Sequence, residues 1–69
     1  MNEENILEDR QYLTPEQLSD MLNISLSTIE KWRFNGNVKI PFIKLGRIIR
    51  YRVDDVHQFL EDNIVHRDK

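Results

Sequence analysis

The chain contains no cysteine. That absence excludes disulfides, thiolate metal sites and cysteine nucleophiles, and it is compatible with a reducing cytoplasm. Long apolar runs are also missing: none approaches the roughly 18 residues that a bilayer span requires. The N-terminal MNEENILEDRQY carries acids where a secretory signal carries bases. The expected location is therefore the cytoplasm, with no membrane partner. Glycine and proline are scarce, two of each, so Pro15, Gly36 and Gly46 serve as punctuation between elements. No nucleophile–base pair, metal-ligand set or glycine-rich phosphate loop is visible, which makes an enzyme the weakest functional class and implies neither metal nor cofactor. The most informative absence is local. From Lys31 to Arg52 there are seven bases and not one carboxylate, although the whole chain is net acidic at -2.

That basic block lies between acidic flanks. Met1 to Glu30 holds seven acids against one base, and Val53 to Lys69 holds five acids against two bases. A run of one sign is usually a solvated face, but inside a folded pattern it can be the electrostatic footprint of a polyanion. The chain is long enough to place that footprint on a fold. Sixty-nine residues, 39% hydrophobic and 32% charged, make one small domain with a single core, near the lower size limit for folding without disulfides or metals. A loose N-terminal arm is expected over residues 1–12, the domain over 13–65 and a tail over 66–69.

Local chemistry predicts the elements. Thr14-Pro15-Glu16-Gln17 starts a helix: Thr14 can cap the Gln17 amide, Pro15 suits the first helical position, and Gln17 can return the capping-box bond. Leu18, Met21 and Leu22 share one face, and the pattern breaks at Asn23-Ile24-Ser25. Ser25 can cap a second helix that closes at Gly36. On it Leu26, Ile29 and Trp32 form the buried stripe, leaving Ser27, Thr28, Lys31 and Asn35 opposite. Around Gly46-Arg47 the texture turns to Ile, Val, Phe and Tyr, which predicts a hairpin of Phe42 to Leu45 with Ile49 to Val53.

Two hairpin registers are open. A two-residue loop pairs Lys44 with Ile49, whereas a three-residue loop, Gly46 to Ile48, groups Ile43, Leu45, Ile49, Tyr51 and Val53 on one face and Lys44, Arg50 and Arg52 on the other. The second separates apolar from charged side chains and is the expected one. Asp54 is expected to cap a last helix with Val56, Phe59, Leu60 and Ile64 inward. Asp54-Asp55 is read as cap and dipole partner rather than an acid pair, and His57 and His66 fit no ligand spacing.

Two short helices followed by a basic hairpin outline a mainly α fold with a small β-hairpin, a winged helix-turn-helix. The run YLTPEQLSDMLNISLSTIEKWRFNGNVKIPFIKLGRIIRYRVDDVHQFL resembles the excisionase/AlpA group of small MerR-like winged helix-turn-helix proteins. The likeness lies in the threonine-led first helix, the S-x-x-T-[I/L]-x-x-W second helix, the P-F-x-K-L-G-R opening of the hairpin and the aspartate start of the third helix. Arg33-Phe34 stands where members often show an apolar residue first. The resemblance implies binding of double-stranded DNA in a phage or mobile element, as a recombination directionality factor or a transcription regulator, with an integrase or RNA polymerase as partner.

On that fold the second helix would enter the major groove, with Thr28 and Lys31 at base edges and Ser25 and Ser27 on phosphate. Arg33 and Asn35 complete the helix set. Lys44, Arg50 and Arg52 would follow the backbone while Arg47, at the hairpin tip, enters the minor groove. A carboxylate in this window would face phosphate. Without a heptad-bearing helix or an exposed apolar stripe, a monomer is expected that pairs only through adjacent binding on DNA. The competing class is a protein-interaction adaptor of the same fold, a packaging-enzyme small subunit or an antitoxin-like partner, using Phe34 or Phe42 as anchors.

Overall fold

The computed structural model describes residues 11–66. Residues 1–10, which carry most of the expected arm, and the last three of the tail lie outside them. In chain order the elements are β1 (Tyr12–Leu13), α1 (Pro15–Leu22), α2 (Leu26–Asn35), β2 (Ile43–Leu45), β3 (Ile48–Arg52) and α3 (Val53–Asp62). The architecture is a winged helix-turn-helix, mostly helical with a small antiparallel sheet. No helix among the described residues is long and apolar enough to cross a membrane.

The two helix starts follow from their caps. The Gln17 amide donates to Thr14 Oγ1 at 3.0 Å and the Thr14 amide to Gln17 Oε1 at 2.9 Å, the reciprocal capping box. At its other end α1 stops on Asn23 in the left-handed region, φ 57°. The Ile24 amide then donates to Ser19 O, and the Ser19 hydroxyl donates to Ile24 O. That double tie fixes the turn into Ser25, which caps α2 by accepting from the Thr28 amide. Gly36, φ 74°, ends α2 with its amide on Trp32 O, as a glycine C-cap should.

Leu18, Ile29, Ile40, Tyr51 and Val56 form the buried core, with Leu13, Leu22, Ile24, Trp32, Ile49, Phe59 and Leu60 packed around it. Each element supplies at least one of these side chains except β2. Ile40, in the connection between α2 and β2, was not expected in the core. Its neighbours Lys39 and Pro41 are exposed, so no periodicity announces it. Leu26 is half-buried, while Met21 and Ile64 are about half exposed, Ile64 beyond the end of α3.

Three expectations change. The hairpin takes the two-residue loop: Ile43 pairs with Arg50, Lys44 with Ile49 and Leu45 with Ile48. Gly46 at φ 62°, followed by Arg47 without a positive φ, is the type II′ signature, whose twist matches that of the flanking strands. Lys44 therefore shares a face with Ile49 and Tyr51, while Ile43, Leu45 and Ile48 share the outer face with Arg50 and Arg52. Turn chemistry overrides the segregation of apolar from charged side chains, leaving Leu45 62% and Ile48 50% exposed. The premise that no apolar stripe is exposed is thereby corrected as well.

Secondly, Asp54 is not the cap of α3. Helix α3 starts at Val53 and makes no side-chain cap bond; Asp54 and Asp55 occupy its first turn, where they suit the positive end of the dipole. The Val53 amide donates instead to Gln11 O at 2.9 Å. Thirdly, the sheet has three strands in the order β1-β3-β2, since Tyr12 pairs with Arg52 and Leu13 with Tyr51. The chain thus joins the sheet at Tyr12, inside the segment expected to be arm.

Candidate nucleic-acid interface

Helix α2 and the β2–β3 hairpin face each other across an open trough. Ser27, Glu30, Lys31, Arg33 and Phe34 line it from the helix, and Phe42, Lys44, Gly46, Arg47 and Ile49 from the hairpin. At 100° per residue, Ser27, Glu30, Lys31 and Phe34 fall within about 100° of the helix circumference. Thr28 and Asn35 lie about 40–60° beyond Lys31, on the side away from the hairpin. The trough-facing side of α2 is therefore turned towards Glu30 and Phe34 relative to the face expected from the sequence.

The candidate residues are distributed as follows. Ser27, Lys31, Arg33, Lys44 and Arg47 meet in the trough. Ser25 lies at the helix start with its hydroxyl in a cluster: it donates to Thr28 Oγ1 at 2.9 Å and lies 3.2 Å from Ser27 Oγ. Thr28 is half-buried by this arrangement and Asn35 is exposed outside the trough. Arg50 and Arg52 are on the other face of the hairpin. The Arg50 guanidinium donates to Ile49 O at 2.7 Å, and Arg52 Nε stands 3.8 Å from Asp55 Oδ2. The two-residue register thus divides the wing cations that the sequence grouped together.

Arg33 has a structural position. Its Nη1 donates to Tyr51 Oη at 3.1 Å and its guanidinium lies 5.9 Å from the Phe42 ring centroid, while the Phe42 and Tyr51 rings are 6.2 Å apart. Tyr51 is 2% exposed, so Arg33 ties α2 to a core residue of the hairpin. On the opposite flank Trp32 packs against Phe59 of α3, centroids 6.3 Å apart. The Arg33 contacts thus brace α2 against the hairpin across the trough, while Trp32 holds the same helix against α3.

Electrostatically the trough holds Lys31, Lys44 and Arg47 as exposed cations. Among the described residues the one ion pair is Arg52–Asp55, so these three are uncompensated within them. Glu30 is the exception to a cationic surface. It stands one residue outside the carboxylate-free window, and helical geometry carries it into the trough. No three His, Asp or Glu side chains gather as a metal site among the described residues, and His57 and His66 are exposed.

A family model described as a helix-turn-helix domain matches residues 12–64. The chain belongs to the helix-turn-helix domain family. The match runs from the first residue of β1 to just past α3, so the helix-turn-helix domain here includes the short N-terminal strand. No curated protein and no solved structure matches the chain. As a DNA-binding helix-turn-helix protein, it has α1 and α2 as the helix pair, joined by the Asn23–Ser25 turn, and double-stranded DNA as its partner class.

Proposed function

We propose that the protein is a sequence-specific double-stranded DNA-binding protein of excisionase/AlpA type, acting as a recombination directionality factor or a transcription regulator of a phage or mobile element. The observation that carries the reading is convergence: Lys31 of α2 and Lys44 and Arg47 of the hairpin, separated in sequence, line one trough beside the exposed polar side of α2. Helix α2 enters the major groove and presents Ser27 and Lys31 to base edges. The amides of its first turn face phosphate, and Ser25 joins them by turning its one hydroxyl proton from Thr28 Oγ1 to a phosphate oxygen. Lys44 and Arg47 follow the adjacent backbone, Arg47 reaching the minor groove from the turn. Arg50 and Arg52, on the outer face, add long-range attraction rather than contacts in the trough.

The test is salt dependence. Replacing Lys44 and Arg47 together with alanine is expected to flatten the plot of log affinity against log salt by about 1.8, two phosphate contacts at about 0.9 each, and to weaken all sequences alike. Fluorescence anisotropy on labelled duplexes over a range of salt measures it. The adaptor reading draws support from Phe34, which is 90% exposed. It takes the lead if wild-type binding to duplex is absent or insensitive to salt, because a hydrophobic interface does not release counterions.

A further inference from the structure

Two trough residues do not belong to a generic phosphate-binding surface. Glu30 is a carboxylate among Lys31, Lys44 and Arg47, and among the described residues it makes no ion pair. Facing DNA it is repelled by phosphate, and only a hydrogen-bond donor can compensate it. Phe34 lies one helical turn further on, and at 90% exposed it contributes nothing to the core. Both are on the hairpin-facing half of α2, and an i,i+4 pair forms a single ridge.

Major-groove chemistry allows each one good partner. A carboxylate only accepts hydrogen bonds; guanine offers the acceptors N7 and O6 and thymine the acceptor O4. Adenine sets its N6 donor beside the N7 acceptor, which repels a carboxylate, so the cytosine N4 amine is the matched edge. A phenyl ring has neither donor nor acceptor, and the one apolar group in the major groove is the thymine methyl. From these pairings we infer that Glu30 and Phe34 are specificity-determining residues, Glu30 selecting a cytosine and Phe34 a thymine. The two residues are separated by about 6 Å along the helix axis, which spans about two base-pair steps of about 3.4 Å. The two bases therefore lie within about two steps of each other.

The inference rests on the major-groove reading proposed above. Its test is selection of preferred duplexes from a randomised pool by the full chain and by Glu30→Gln and Phe34→Ala. The wild type is expected to fix a cytosine and a thymine within two steps. Glu30→Gln should exchange the cytosine for adenine, whose N6 and N7 a glutamine amide matches, with discrimination changing by about 5- to 150-fold. Replacing the selected thymine by uracil removes only the methyl and should weaken the wild type about fourfold, while leaving Phe34→Ala unaffected. Melting curves of both variants should match the wild type, since both side chains are exposed.

The inference is overturned if both variants keep the wild-type consensus, or if uracil weakens wild type and Phe34→Ala equally. It is also overturned if Glu30→Gln strengthens binding to every sequence alike, for the carboxylate would then act only as a brake on non-specific binding. Absence of binding to any duplex at low salt removes the major-groove reading itself. Wild-type binding that has a salt slope but fixes neither the cytosine nor the thymine removes only the roles of Glu30 and Phe34.

Discussion

Arg33 offers the sharpest separation between a DNA contact and a brace. Its guanidinium donates to Tyr51 Oη at 3.1 Å and approaches the Phe42 ring to 5.9 Å. A hydrogen bond to a charged group contributes about 1.5–3 kcal/mol when buried, and half-burial of Arg33 puts this one near the low end. The cation–ring contact adds about 0.5 kcal/mol at such an accessible site. Replacing Arg33 with methionine should therefore destabilise the fold by about 2 kcal/mol. In a domain of this size that lowers the melting temperature by about 8–16 °C.

Tyr51→Phe removes only the acceptor and should cost about 1 kcal/mol. Since both changes delete the same bond, the double variant should fall short of their sum by about 1 kcal/mol in a double-mutant cycle followed by urea denaturation. Salt-dependent anisotropy supplies the second axis. A brace leaves the slope unchanged once the protein is folded, whereas a phosphate contact contributes about 0.9 to it. Arg33→Met that melts with the wild type and loses about one from the slope would refute the brace and return Arg33 to the DNA-facing set.

Register and capping give two further outcomes. Leu45→Ser and Ile48→Ser, on the outer face of the hairpin, should each change stability by less than about 0.5 kcal/mol, whereas Ile49→Ala, at a partly buried site, should cost about 1–2 kcal/mol; the three-residue register requires Leu45→Ser to be costly, and thermal melts decide between them. Thr14→Ala removes one half of the capping box and should cost about 1 kcal/mol, read as a lower melting temperature with an unchanged salt slope; no change would mean that the Gln17 side chain alone holds the start of α1.

What the sequence disclosed depended on how local the cause was. Thr14, Pro15, Ser25 and Gly36 act within one helical turn, so the bounds of α1 and α2 can be read directly from them. The hairpin register depends on a two-residue turn whose glycine adopts φ 62°. Gly46-Arg47, a glycine at the first central position, is the available signal for it, and it points against the apolar grouping of Ile43 and Leu45. Arg33 reads as one more base in a basic block because its partner, Tyr51, is 18 residues away. Glu30 is hidden by the linear charge map, which places it on the acidic side of a boundary that the helix folds across. Strand β1 has only two residues, too few for an alternating pattern to announce it although Tyr12 favours strands; it exists because β3 offers an open edge.

That pairing of Tyr12–Leu13 with Arg52–Tyr51 has a consequence for the order of assembly. The α1–α2 turn and the β2–β3 turn close loops of a few residues, while β1 reaches β3 across nearly the whole domain, and each doubling of loop length adds about 0.6 kcal/mol of closure entropy. The helix pair and the hairpin can therefore form early from neighbours in sequence, whereas β1 has to wait for both. Its arrival completes the central strand and supplies the carbonyl that receives the Val53 amide. The first strand in the chain is then the last to be seated, a latch on a domain whose two turns close locally, and an unlatched chain exposes the backbone edge of Tyr51.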